Sequence, residues 1–173
     1  RSTSNDLETS TEALLGGIGP LAIDAERASG FKYSQRAYLI QLHRTNAPIL
    51  LIDPIAINAD DPEAFARLSN AIAGIPWILH AATQDIPCLA ELGLRPSKII
   101  DTELAGRLLG LDRVGLGSMV QELLSLALAK EHSAADWSTR PLPETWLTYA
   151  ALDVDVLPEL ADRLLEELAA ADK

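Results

Sequence analysis

An α/β fold built on a mixed sheet is predicted by three features of this sequence. Three β-rich segments follow one another closely near the start, with only short polar breaks between them. Two further short apolar runs each lead directly into a helical segment, and the chain then closes on helical sequence. Close strands pair as an antiparallel meander, whereas strands separated by helices pair in parallel. The expected result is a five-stranded sheet, part antiparallel and part parallel, flanked by helices.

The elements follow in order. Residues 1–10, "RSTSNDLETS", are polar and read as a frayed end or linker. "TEALLGG" reads as a short helix ended by Gly16 and Gly17. The meander strands are "LAIDAER", "RAYLIQLHR" and "PILLID". In the second, Tyr38, Ile40 and Leu42 share one face, and Leu39 and Gln41 share the other. "DPEAFARLSNAIAG" predicts a helix with Asp61 as N-cap, Pro62 in its first turn and Gly74 at its end. "PWILHA" is a short buried strand. "TQDIPCLAELG" is a helix capped by Thr83 and stopped by Gly93, with Pro87 tolerated near its first turn. "SKIID" is the last strand, followed by helices "TELAGRLLG" and "LGSMVQELLSL". The loop "AKEHSAADWSTRPLP" leads to a final helix from Glu144 to Ala170, kinked or divided at Pro158.

Composition narrows the function. A chain of 173 residues, 48% of them apolar, suits one globular domain with a sizeable core. It starts at Arg1 without an initiator Met or a hydrophobic leader, which reads as a segment of a longer protein. No apolar stretch is long enough to span a bilayer, so no membrane partner is expected. Cys88 is the only cysteine, which excludes an intramolecular disulfide and a thiolate zinc cluster. A reducing cytoplasm is the expected location. A net charge of −11 speaks against a generic nucleic-acid binder with a basic face. A metal site for phosphates, however, needs carboxylates, which lower the net charge by themselves.

Four acids carry the chemistry. Asp24 and Glu26 stand two residues apart on the first strand, so both point to one face. Asp85 sits in a first helical turn just after a strand. Asp153 follows Tyr149 by four residues, one helical turn away on the same face. Singly, each has a plain explanation: a solvated strand end, a carboxylate suited to a helix N-terminus, an exposed helix acid. His80 singly reads as a hydrogen-bonded core histidine and Cys88 as core packing. Together, in a sheet whose ligands gather at strand carboxyl ends, the acids can converge. Convergent carboxylates need cations, and hard oxygen ligands suit Mg²⁺ or Mn²⁺. Two such ions form the apparatus for in-line phosphoryl displacement.

On these residues the sequence resembles the DEDD superfamily of 3′–5′ exonucleases, and within it the ribonuclease D family of the tyrosine-bearing subclass. Asp24-Ala25-Glu26 matches the first motif, where Thr is common in place of Ala25. "HAATQD" with Asp85 matches the second, and "YAALD" with Tyr149 and Asp153 the third. "LIQL", "IIDTELAGRLLG" and "DWSTRPLPETWLTYAALDV" are also similar to ribonuclease D. The resemblance implies a ribonuclease H-like fold. It also implies that Asp24, Glu26 and Asp153 hold one divalent ion, while Asp24 bridges to a second, bound by Asp85 directly or through water. Tyr149 would orient the attacking water, since a phenol is a poor base at neutral pH. The implied reaction releases 5′-mononucleotides from the single-stranded 3′ end of RNA. A DNA-directed exonuclease and a non-catalytic nucleic-acid-binding domain of the same fold remain open as alternatives. The implied division is a tail and short helix over 1–19 and an exonuclease domain over 20–173. The C-terminal HRDC-type domains of the family are not in this sequence.

Substrate contacts are assigned to Gln41, His80, Lys130, Trp137 and Arg140. The cations would meet phosphates and Trp137 would stack on a base. The competing reading has Trp137 and Arg140 pin their loop onto the core. Arg27, Lys32, Tyr33, Gln35 and Arg36 form a basic and aromatic patch beside the first motif that is expected to wall the substrate groove.

Overall fold

The computed structural model describes residues 3–28, 36–128 and 135–173. Lys130, Lys32, Tyr33 and Gln35 lie outside the described residues. Five strands form one sheet: β1 (Ile18–Arg27), β2 (Ala37–Thr45), β3 (Leu50–Ile52), β4 (Trp77–Leu79) and β5 (Ile99–Asp101). Their spatial order is β3-β2-β1-β4-β5. The first three strands pair antiparallel, and β4 and β5 join in parallel beside β1. The expected mixed sheet is therefore present, with β1 at its centre.

Strand alternation sorts the core onto two faces. Leu21, Ile23 and Ala25 of β1 join Ile40, Leu42, Trp77 and Leu79 in one cluster. Ala22 of β1 and Ile78 of β4 point the other way. They meet Met119, Val120, Val154, Leu157, Leu160 and Leu164. Each such side chain, fully buried, contributes roughly 1.5–3 kcal/mol. Asp24 and Glu26 share the parity of Ala22, so the strand periodicity that buries Leu21 and Ile23 aims both acids at the second layer. That layer contains α7 (Glu144–Asp155) and α8 (Leu157–Ala170), both of which pack on β1.

Several helices differ from the sequence reading. Helix α1 spans Ser4–Leu15, so most of the expected frayed tail is helical. Thr3 caps it by accepting the Asp6 N–H, and Leu7, Thr11 and Leu14 form its buried stripe. An unforeseen helix, α2 (Pro54–Asp60), precedes α3 (Ala64–Ala71). Asp53 caps α2 by accepting from Ile55 and Ala56, with Pro54 in its first turn. Asp61 is consequently not the N-cap of a helix from 61 but the end of α2. Helix α4 (Ala82–Glu91) is not capped by Thr83: its N-cap is Ala81, whose methyl can accept no N–H. Gly93 stops it at φ +82°, a conformation open to glycine. Helices α5 (Thr102–Leu108) and α6 (Leu116–Leu124) follow β5. A Cβ on Gly106 of α5 would lie 2.7 Å from Met119 Cε, so any larger residue there would have to displace the buried Met119 side chain. The final helix divides, as expected, into α7 and α8 around Val156. Pro158 has no N–H for the carbonyl of Val154, and the first helix ends short of it. No helix among the described residues is long and apolar enough to cross a membrane.

Candidate active site

Asp24 and Glu26 lie on the carboxyl-terminal half of central β1, and α7 crosses the sheet above them. Ligand oxygens of Asp24, Glu26 and Asp153 all fall within 4.8 Å of one another. Asp85, in the first turn of α4, hydrogen-bonds its carboxyl to that of Asp24. Three separate elements thus bring four acids to one place. Tyr149 shares α7 with Asp153, is nearly buried, and stacks with Trp137 at a centroid distance of 6.4 Å.

The electrostatics follow from burial. Glu26 is raised to about 9, first by desolvation and then by the charges of Asp24 and Asp153. Asp85 is raised to about 9 by burial and then by Asp24. Asp153 is raised to about 8 for the same two reasons. Asp24 is also raised, because burial outweighs the hydrogen bonds from Asp85 and the Ala25 N–H. A metal-free site at neutral pH therefore holds protons where a cation would hold oxygens. The donor set fits a hard divalent cation: clustered carboxylates, with no His or Cys in the group.

The residues assigned to substrate sort differently. Gln41 is fully buried beneath the acids and cannot touch a strand in this conformation. Its Nε2 donates to Glu26 Oε1 at 3.1 Å and to the Ala150 carbonyl at 3.2 Å. Trp137 is likewise fully buried, so base stacking is not open to it; its ring packs edge-on against Trp146. Arg140 donates to both carboxylate oxygens of Asp53, at 2.9 and 3.1 Å, and to the carbonyls of Tyr38 and Trp137. That is the pinning role, with the guanidinium fork filled from inside the protein. His80 Nδ1 contacts Thr102 Oγ1 at 2.8 Å, and its Nε2 is shielded from solvent. Burial lowers its pKa, which disfavours the charged imidazolium. Lys130 lies outside the described residues. Arg36 sits over the Tyr38 ring at 5.7 Å.

One supporting residue escaped the sequence reading. Asp101, at the end of β5, accepts the N–H groups of Ala81 and Ala82 at the start of α4, and those of Glu103 and Leu104 at the start of α5. It caps α5 and ties down the turn that delivers Asp85. Its place before "TELAG" was a readable cap signal for α5; its reach to α4 was not.

The mixed sheet and the acid cluster define a class, and comparison agrees: the chain belongs to the 3′–5′ exonuclease domain family, whose model matches residues 2–169. It is similar to ribonuclease D of Gluconacetobacter diazotrophicus, 33% identical over 94% of this chain and 42% of that protein. The chain thus spans less than half the length of this curated relative. A solved structure of a protein from Bifidobacterium adolescentis is 45% identical, with a TM-score of 0.94 over 98% of this chain and 41% of that one. The crystal structure of Escherichia coli RNase D, an exoribonuclease involved in structured RNA processing, is 29% identical. Its TM-score is 0.80 over 99% of this chain and 45% of that one.

Proposed function

We propose that this chain is the catalytic domain of a 3′–5′ exoribonuclease that releases 5′-mononucleotides from single-stranded RNA 3′ ends. Its cofactors on this reading are two divalent cations, Mg²⁺ or Mn²⁺. The observation that carries it is the convergence of Asp24, Glu26 and Asp153 within 4.8 Å, with Asp85 against Asp24. Asp24, Glu26 and Asp153 would hold one ion, and Asp24 and Asp85 the other. Such ions supply Lewis acidity to an attacking water and a leaving 3′-oxygen. The chain's own groups do the positioning. The Tyr149 hydroxyl orients the water, held in place by the Trp137 ring beside it. Burial around the acids excludes bulk water and strengthens each charge interaction at the scissile phosphate. Similarity to ribonuclease D supports RNA over DNA as the substrate. A cytoplasmic setting belongs to the same proposal and is supported by the single cysteine, buried and free.

The test is a single-stranded RNA labelled at its 3′ end, incubated with Mg²⁺ or Mn²⁺, beside a matched DNA. Labelled 5′-mononucleotide should appear first, and a blocked 3′ end should resist. Activity that survives excess EDTA, or cleavage of a circular RNA, would overturn the reading. Preference for the DNA strand would overturn the RNA assignment alone.

A further inference from the structure

Gln41 on β2 stands directly opposite Asp24 on β1. Its Nε2 reaches Glu26 Oε1 at 3.1 Å, the Ala150 carbonyl at 3.2 Å and Asp24 Oδ2 at 3.5 Å. An amide nitrogen carries two hydrogens, so the two shorter contacts take both. The reverse orientation would press the amide oxygen against these same acceptors, so the network fixes which way the amide points. Among the described residues, Gln41 Oε1 then has no hydrogen-bond partner, although it is buried. A buried acceptor left unpaired costs stability, and an apolar side chain of the same volume would fill this position without that loss. Packing alone therefore does not account for the amide. Its two bonds do something else: they join an acid of β1 to the backbone of α7, one residue beyond Tyr149 and one turn before Asp153.

We propose that Gln41 is a positioning residue for the divalent-cation site. It holds the Glu26 carboxylate in its ligating orientation and sets the separation between β1 and α7. This rests on the reading that Asp24, Glu26 and Asp153 bind a cation. Glu26 has a rotatable side chain, and the Gln41 Nε2, itself anchored on the Ala150 carbonyl, is a fixed donor that holds one of its oxygens in place. Loss of a residue that orients a metal ligand commonly weakens metal affinity or activity by about 10–100-fold.

Gln41→Met keeps the volume and removes both donors. Gln41→Asn keeps the amide but shortens it, so it cannot reach Glu26 and Ala150 together. Wild type and both variants are titrated with Mn²⁺ by calorimetry, melted in EDTA, and assayed on 3′-labelled RNA across a Mn²⁺ series. The Mn²⁺ Kd should weaken by about tenfold or more in Gln41→Met and less in Gln41→Asn. Excess Mn²⁺ should restore part of the lost kcat, with KM for RNA unchanged. A merely structural role would lower the melting temperature and leave the Kd alone. A folded variant with wild-type Mn²⁺ affinity and wild-type kcat overturns the proposal, and Gln41→Asn carries that criterion if Gln41→Met does not fold. If wild type binds no Mn²⁺, the cation reading fails first and this role falls with it.

Discussion

The carboxylate of Asp101 accepts the backbone N–H of Ala81 at 3.1 Å, and Ala81 is held there at φ +60°. A left-handed conformation costs an L-residue about 1–2 kcal/mol, and Asp101 is what this turn sets against it. From that turn α4 starts, with Asp85 in its first turn. Asp101→Ala would release four N–H groups at two helix starts. We expect a loss of about 2 kcal/mol or more, since a single lost cap costs roughly 0.5–2. Turnover should fall as well, because the segment carrying Asp85 loosens. Ala81→Gly should be neutral or up to about 1 kcal/mol stabilising, since glycine occupies this region freely. Chemical denaturation of both variants checks the pair. A destabilised Ala81→Gly would mean that the methyl packs more than the turn strains.

Arg140→Lys should destabilise without impairing RNA affinity. Lysine cannot reproduce the paired bonds to Asp53 or reach the two carbonyls that the guanidinium also holds. A loss on the order of 1–3 kcal/mol is expected, as for hydrogen bonds to charged groups. KM for RNA, measured well below the melting temperature, should stay within about twofold. A large rise in KM with unchanged stability would return Arg140 to the RNA contacts.

Tyr149→Phe should lower kcat by on the order of 10²-fold, the lower end for a positioned proton-handling group. Mn²⁺ affinity and KM should hold, because the phenyl ring keeps its place against Trp137. Pre-steady-state and steady-state kinetics separate these terms. Full kcat in the variant would leave Tyr149 a packing residue only.

What was legible in the sequence followed local periodicity. Asp24 and Glu26 could be paired because strands alternate, and Tyr149 with Asp153 because helices turn every 3.6 residues. Pro158 announced the break between α7 and α8. Long-range facts were not legible. Gln41 looks like the polar face of an alternating strand, and only its register against Asp24 and the arrival of α7 bury it. Trp137 looks like a stacking platform until Tyr149 and Trp146 close on it. Helix α2 was hidden because Asp53 ended an apolar run and read as strand, although Asp-Pro there is a helix start. Thr83 offered a plausible cap, but the helix starts one residue before it, at Ala82, so Thr83 lies inside the first turn. The N–H groups of Ala81 and Ala82 are held instead by Asp101, distant in sequence.

The four acids should make the metal-free protein less stable as pH rises. Glu26, Asp85 and Asp153 have ordinary values of 4.5, 3.8 and 3.8, and the fold raises them to about 9, about 9 and about 8. Between those limits the folded protein binds more protons than the unfolded chain. Stability falls with pH wherever that holds. The contribution is thus complete below about pH 4 and is lost as pH rises through about 8 to 9. Asp24 raises each of the other three, so Asp24→Asn should flatten this slope. In EDTA the mutant should melt above wild type at alkaline pH, by on the order of 5 °C if one to two kcal/mol of repulsion is relieved. Mn²⁺ should reverse the order. At ~100 Kd a ligand bound only to the native state adds about 2.7 kcal/mol, and wild type should gain that while the mutant gains much less. Thermal melts of both proteins across pH, with EDTA and with Mn²⁺, check both halves. A mutant that melts well below wild type in alkaline EDTA would show that Asp24 serves the fold through its charge, and that the four carboxylates do not repel one another as their burial implies.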